Sequence, residues 1–277
     1  MKKPLFTILL PTSIDRGHLL PYSIRSAQNQ TIQDFEIWII GDGVNDFTRS
    51  VIQELMQADE RIRFFDFPKH PRRGEENRHE VLQKANSRNI AYLTDRDYWL
   101  PHHLETLDHY LQRYDFASTL NYDVKDNFLV FGHKNLDAWD APSWLLSCVG
   151  HTLDMYRKLP YGWRTTPKEL YTDRYMWEQF IVHPECKSYC GMEPTVLWIK
   201  RGDHPGLSTL ERKELLIKWE KILNDPLEWQ FKKDQALHEM MWDYNFLHRN
   251  HLILIKGRKP SQVPREVWKK IKKLLSR

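Results

Sequence analysis

The first hundred residues alternate between short apolar runs and stretches with helical spacing, and no other feature constrains the fold as much. The runs are Leu5 to Leu10, Phe35 to Ile40, Arg61 to Phe67 and Ile90 to Leu93. Apolar runs this short, with little polar alternation, read as strands covered on both faces, as in parallel sheets. Between them lie Leu20, Ile24 and Ala27, then Val51, Ile52, Leu55 and Met56, then a third helical stretch from about Glu76 to Arg88. Pro21 is tolerated in the first turn of its helix, and Asn45 or Asp46 is placed to cap the second. Strand and helix alternating in this way predict an α/β chain with a mainly parallel sheet. Such sheets bind ligands at the carboxyl ends of their strands, so the loops after each run carry the functional expectations.

The fourth run stops at Thr94-Asp95-Arg96-Asp97, and Pro101 opens a further helical pattern from His102 to Arg113. Two carboxylates one residue apart in a turn can reach a single hard cation, and Mg²⁺ or Mn²⁺ needs only one or two of them plus phosphate oxygens. The same residues also suit an ordinary strand-to-helix turn. After the second run comes Gly41-Asp42-Gly43, where glycines would let a ligand approach the backbone; a plain Asp-Gly turn is the alternative. After the third comes a basic loop, Pro68-Lys69-His70-Pro71-Arg72-Arg73-Gly74. The first loop has no Gly-x-Gly-x-x-Gly and no Gly-x-x-x-x-Gly-Lys-Ser/Thr, so any nucleotide phosphate must be neutralised by other means.

Beyond Pro101 the pattern changes. Phe116 to Tyr122 and Phe128 to Gly132 read as an antiparallel pair joined through Asp126-Asn127. Cys148 to Thr152 precedes a short helix, and Thr172 or Asp173 is placed to cap a partly buried helix holding Met176, Trp177 and Phe180. Pro194 to Lys200 reads as a strand, followed by the loop Arg201 to Gly206. His183, Cys186 and Cys190 match no common zinc spacing. Ser208-Thr209-Leu210-Glu211 is a capping box, and Asp225-Pro226 starts another helix. These signals divide the chain into 1–207, with halves 1–101 and 102–207, and a helical extension, 208–277.

Composition excludes several classes. The chain has 277 residues, 41% hydrophobic and 28% charged, enough for a substantial soluble core. No apolar run approaches the roughly 20 residues of a membrane span. Three cysteines and an opening Met1-Lys2-Lys3-Pro4 that leads straight into a strand favour a reduced, cytoplasmic setting. Basic residues are not interleaved with aromatics along a groove, which argues against nucleic acid as a partner. From Lys256 to Arg277, nine Lys or Arg face one acid, Glu266, while the whole chain carries only +4. Val267, Ile271, Leu274 and Leu275 form an apolar stripe in that tail, so a peripheral membrane contact and a helix packed on the domain are both open.

The first half resembles the family 2 glycosyltransferases of the GT-A fold. The matching pieces are Leu9-Leu10-Pro11-Thr12 with Arg16, Leu20-x-x-Ser23-Ile24-x-Ser26-x-x-x-Gln30-Thr31, Phe35-Glu36-Ile37 running to Gly41-Asp42-Gly43, and Ala91 to Asp97 with Trp99-Leu100-Pro101. Their order and spacing are more specific than any one block. The resemblance implies that Pro11, Thr12, Asp42 and Arg78 hold the nucleobase, that Asp95 holds the ribose, and that Asp97 binds Mg²⁺ or Mn²⁺ on the diphosphate. His204 sits where such enzymes sometimes complete the metal site. Arg96 stands where relatives commonly carry a second acid, and a guanidinium there can neutralise diphosphate directly.

In the second half, Gly150 and His151 fall in the acceptor-side region of that family, although a histidine there is often structural. Asp173 matches the family's general base, with Glu178 as the weaker candidate. The expected activity is sugar transfer from a nucleotide-sugar donor to a hydroxyl acceptor, saccharide or lipid-linked, with inversion and metal assistance. This kind of enzyme commonly serves cell-surface polysaccharide biosynthesis. The alternatives are a catalytically weak relative serving as a binding or scaffold subunit, favoured by Arg96, and a nucleotidyltransferase, disfavoured by the missing glycine-rich loop.

Overall fold

The computed structural model describes residues 3–131, 145–199 and 206–249. The strands expected in the first half form: β1 (Phe6–Ser13), β2 (Phe35–Asp42), β3 (Ile62–Phe67) and β4 (Asn89–Tyr92), all parallel in the order β3-β2-β1-β4. Helices α1 (Leu20–Gln28), α2 (Asp46–Ala58) and α3 (Glu75–Leu82) connect them. Asn45 caps α2, its side chain accepting from the Thr48 amide at 2.9 Å. Helix α3 ends six residues short of the expected Arg88. The chain must turn back to enter β4 beside β1, and buried Ser87 fixes that turn by donating to the Asn89 carbonyl and accepting from Thr7.

The sheet continues with strands from the second half. These are β5 (Tyr98–Trp99), β6 (Phe116–Val124), β7 (Leu129–Phe131), β8 (Val149–Thr152) and β9 (Ser188–Trp198). The full order is β3-β2-β1-β4-β8-β6-β9-β5, with β7 paired to β6. Strand β8 runs antiparallel to β4 and β6, β9 is parallel to β6, and β6 and β7 form the expected antiparallel pair. Helices α4 (His103–Leu111), α5 (Leu153–Lys158) and α6 (Thr172–Val182) complete this half. The result is the α/β sheet the alternation predicts, parallel in its first four strands and mixed beyond them.

Two cores sandwich the sheet. One packs Leu20, Ile24 and Ile52 with Leu104 and Leu107 on one face; the other packs Val81, Trp163, Trp177 and Phe180 on the opposite face. A third joins the extension to the sheet. Helix α7 (Thr209–Leu223), started by the expected capping box at Ser208 and Glu211, buries Leu215, Leu216, Trp219 and Ile222 against Tyr98, Tyr122 and Leu197. An Arg25–Glu220 pair at 2.7 Å ties the same helix to α1. Helix α8 (Pro226–Arg249) follows. Among the described residues no helix is long and apolar enough to cross a membrane. The basic stretch 256–277 and His204 lie outside the described residues.

Candidate active site

The strand ends of β1, β2 and β4 open into a cleft of about 500 Å³, closed on its far side by the start of α6. Pro11 and Thr12 line it from the end of β1, Asp42 from β2, Asp95 and Arg96 from the turn after β4, Arg78 from α3 and Asp173 from α6. Seven residues singled out in sequence therefore converge. Thr12 Oγ1 donates to Asp95 Oδ2 at 3.0 Å, and Arg16 Nε lies 3.9 Å from the same oxygen, so the first and fourth strand ends are joined across the sheet.

Asp42 is already engaged. Its carboxylate accepts from the His70 amide and the Lys69 ammonium, which pulls the basic loop over the end of β2. One of the flanking glycines serves that closure. Gly43 has φ +66°, and a Cβ there would meet Lys69 Cβ at 2.5 Å, so protein rather than ligand makes the close approach.

The basic loop supplies residues that sequence reading noted but did not assign. Arg72 donates to the Thr166 carbonyl at 3.0 Å and Arg73 to Thr172 Oγ1 at 2.7 Å, and both line the cleft. Glu75, fully buried, accepts from the backbone amides of Arg73 and Thr166 at 3.2 and 3.4 Å, and from Thr172 Oγ1 at 3.5 Å. It is an anionic node joining three segments. These bonds also correct the capping expectation for α6. Thr172 is held by Arg73 and Glu75 and Asp173 lines the cleft, so Tyr171 occupies the cap position with no side-chain cap.

The electrostatics favour an anionic ligand. Arg16, Lys69, Arg72, Arg73, Arg78 and Arg96 line the cleft against the carboxylates of Asp42, Asp95 and Asp173. Two of these cations lie beside lining acids, Lys69 on Asp42 and Arg16 on Asp95. Arg78 is 8% exposed, yet its Nε and Nη1 have no hydrogen-bond partner, and neither has Arg96 Nε. Buried guanidinium donors without acceptors are costly, and a phosphate satisfies them bidentately. Burial lowers the pKa of Arg78, with Asp173 and Glu75 opposing. At Asp173 burial raises the pKa, Arg78, Arg96 and Arg73 pull it down, and Asp97 pushes it up.

Asp97 does not line the cleft. It is 1% exposed, accepting from Ser147 Oγ at 2.5 Å and more distantly from the Ile199 amide at 3.4 Å. Among the described residues no group of three or more His, Cys, Asp or Glu side chains could hold a metal ion. A protein-only cage is therefore missing there. The donors of Asp95 and Asp97 are all oxygen, the chemistry a hard ion takes, but of the two carboxylates only Asp95 lines the cleft. Each carboxylate keeps lone pairs beyond the bonds described.

Three expectations move. His151 is not at the acceptor side: it is fully buried, with Nε2 2.8 Å from Tyr92 Oη and Nδ1 3.0 Å from the Thr152 carbonyl, and burial lowers its pKa to about 4. Gly150 is likewise interior, where a Cβ would press on Leu107 and the Ile90 carbonyl at 3.1 and 3.2 Å. Both belong to the central strand β8, flanked by β4 and β6, and so cannot reach a cleft ligand. Glu178 pairs with Arg174 one helical turn away at 2.9 Å and does not line the cleft.

A cationic cleft at the strand ends of the sheet, with the carboxylate of Asp173 among its lining residues, is a site for an anionic ligand. The chain belongs to glycosyl transferase family 2, whose sequence profile matches residues 7–190. Among curated relatives, it is 34% identical over 104 residues to a GalNAc(5)-diNAcBac-PP-undecaprenol beta-1,3-glucosyltransferase of Campylobacter jejuni, covering 38% of this chain and 33% of that one. It is 33% identical over 113 residues to an uncharacterized glycosyltransferase of Methanocaldococcus jannaschii, covering 40% and 39%. The matched stretch thus spans well under half of either relative. Solved structures share the fold at low identity. S. aureus TarS 1-349 in complex with UDP-GlcNAc superposes with a TM-score of 0.56 at 14% identity, over 87% of this chain and 72% of that one. The mannosyltransferase PcManGT from Pyrobaculum calidifontis, in complex with GDP-Man and Mn²⁺, gives 0.54 at 12%, over 83% and 72%.

Proposed function

We propose that the chain transfers a sugar from a nucleoside-diphosphate donor to an acceptor hydroxyl, with inversion. The observation that carries this reading is a cleft lined by Arg78, Arg96 and Asp173 in which buried guanidinium nitrogens of both arginines lack a hydrogen-bond partner. In the reaction the acceptor oxygen forms a bond to the anomeric carbon while the bond from that carbon to the β-phosphate oxygen breaks. Asp173 takes the acceptor proton, and the raised affinity of its half-buried carboxylate for a proton suits a general base. Arg96, Arg78 and Arg73 neutralise the charge that develops on the departing diphosphate. Thr12 and Asp42 border the nucleoside end and Asp95 the ribose, while Arg78, which the family resemblance puts at the base, is assigned here to the diphosphate.

Asp97 would hold Mg²⁺ or Mn²⁺, and that ion would supply further neutralisation of the leaving group. The Mn²⁺ in the mannosyltransferase complex supports that part of the reading. The Campylobacter relative is named for a lipid-linked acceptor, which supports a saccharide acceptor of that kind. A thermal-shift screen of UDP, GDP and the corresponding monophosphates, with and without Mn²⁺, tests the core of it. A selective rise in melting temperature with one diphosphate is expected, by mass action. No shift with any of them overturns the donor assignment. A shift indifferent to Mn²⁺ and to Asp97→Asn removes the metal from it.

A further inference from the structure

The loop before α6 places an indole, Trp163, beneath the guanidinium of Arg78. The Arg78 Cζ lies 4.7 Å from the Trp163 ring centroid, and Trp163 is 2% exposed. Among the described residues no carboxylate lies within ion-pair distance of Arg78; its single hydrogen bond is a long one, Nη2 to the Arg73 carbonyl at 3.4 Å. The buried cation is thus held chiefly by a ring face. The difference matters for a ligand site. A carboxylate partner would neutralise the guanidinium and occupy its nitrogens, whereas a ring attracts the cation through its quadrupole and leaves the N–H groups free.

The ring itself is fixed with unusual completeness. Its Nε1–H donates to Tyr92 Oη at 3.1 Å, which leaves the Tyr92 hydroxyl proton for His151 Nε2 at 2.8 Å, and His151 Nδ1–H then donates to the Thr152 carbonyl at 3.0 Å. Each step admits one direction of donation, so the chain selects a single neutral tautomer of His151 and a single rotamer of the indole. Edge contacts from Tyr92 and Trp177, at 5.8 and 5.1 Å between centroids, brace the ring. The backbone is locked as well. The Trp163 amide donates to Tyr156 Oη at 3.1 Å, and the Gln179 amide clamps Gly162 at both its N–H and its carbonyl, 3.0 Å each. Gly162 has φ +61°, and a Cβ there would strike Tyr156 Oη at 2.6 Å.

We propose that Trp163 is the positioning residue of the donor site: its ring face holds Arg78 in the cleft without neutralising it, and the Tyr92–His151 chain holds the ring. The inference rests on the nucleotide-donor reading above, and it gives His151 a role in the interior in place of one at the acceptor.

The test is calorimetry with UDP and GDP on wild type, Trp163→Leu, Trp163→Phe, Arg78→Met and both double variants, each checked for folding by thermal melting. The better-bound diphosphate is expected to lose about 5–20-fold in affinity on Trp163→Leu and less on Trp163→Phe, which keeps a ring face. In the Arg78→Met background neither change at Trp163 should alter affinity more than about twofold, because coupled residues are not additive. Equal losses in both backgrounds, or no loss in either, overturn the positioning role. Should the leucine variant not fold, the Trp163→Phe pair carries the same comparison, read as coupling or none. A wild type that binds neither diphosphate refutes the donor reading itself, an outcome distinct from the other two.

Discussion

The two halves of the sheet build the site in different ways. The parallel half, β1 to β4, contributes residues from strand ends and the turns after them, and their partners are other strand ends: Thr12 on Asp95, Asp42 on Lys69 and the His70 amide. The mixed half contributes little from its strands. Its strand β8 carries the inward-facing His151, while the cleft receives Thr172 and Asp173 from a loop and helix start strapped down by Arg73 and Glu75. In the proposed reading one half holds the donor with a preformed rim, and the other presses the carboxylate of Asp173 onto it through a few long-range bonds. If that division is real, changes in the second half should damage turnover and changes in the straps should damage the alignment of the halves.

The largest expected effect separates the halves outright. Asp173→Asn should lower turnover by about 10²–10⁴-fold, the usual worth of a positioned general base, while diphosphate affinity stays within a few-fold. Donor turnover under saturating conditions, paired with calorimetry, reads both. A collapse of affinity with little further loss of turnover would make Asp173 part of the donor rim and erase the contrast.

The strap gives a middle-sized effect. Glu75→Ala leaves the buried amide of Thr166 and the partly buried amide of Arg73 without their acceptor, and loss of the buried one costs about 1–3 kcal/mol. Urea unfolding should show that loss, and turnover should fall more than diphosphate affinity because the start of α6 is released. Glu75→Gln keeps one acceptor oxygen and should recover part of both. Equal damage to affinity and turnover would mean that the two halves form one unit rather than two joined by a strap.

The same contrast explains what the sequence made legible. Strands β1 to β4 and the caps at Asn45 and Ser208 are local signals, carried by apolar runs and by residues three apart. The seven cleft residues sit at strand ends or match family blocks, so they were accessible as well. What was missed is non-local. Strand β5 is two residues hidden in the turn after Asp97, and β9 starts at Ser188 through Cys190-Gly191-Met192-Glu193-Pro194, a stretch with poor strand propensity that pairs only because β6 is already there. The inward turn of Asp97 depends on Ser147 and Ile199, 50 and 102 residues away. Arg72 and Arg73 were visible as part of a basic loop and Glu75 was not singled out, because their bonds to Thr166 and Thr172 cross more than ninety residues. His151 carried the family position of a contact residue and the burial of a core one, and only the sheet order decides between them.

The smallest expected effect tests whether Asp173 is held in place at a cost to the fold. Burial raises its pKa above the ordinary value of 3.8 despite three nearby arginines, Arg78, Arg96 and Arg73, with Asp97 adding to the rise. A carboxyl whose pKa is higher folded than unfolded favours the fold in its protonated form. That contribution is complete below about pH 3.8 and is lost as pH climbs through the folded value, so at neutral pH the ionised group weakens the fold. Asp173→Asn removes the ionisation. The variant should therefore melt about 1–3 °C above wild type at pH 7, and the gap should close towards pH 4, measured without nucleotide or divalent ion. In kinetics the acid limb of wild-type turnover should lie above the ordinary carboxylate range for the same reason. A variant that melts below wild type at pH 7 would show that the arginines gain more from Asp173 than its burial costs. The carboxylate would then be an ordinary ion-pair partner of the donor rim, and the second half of the sheet would lose its claim to the reactive group.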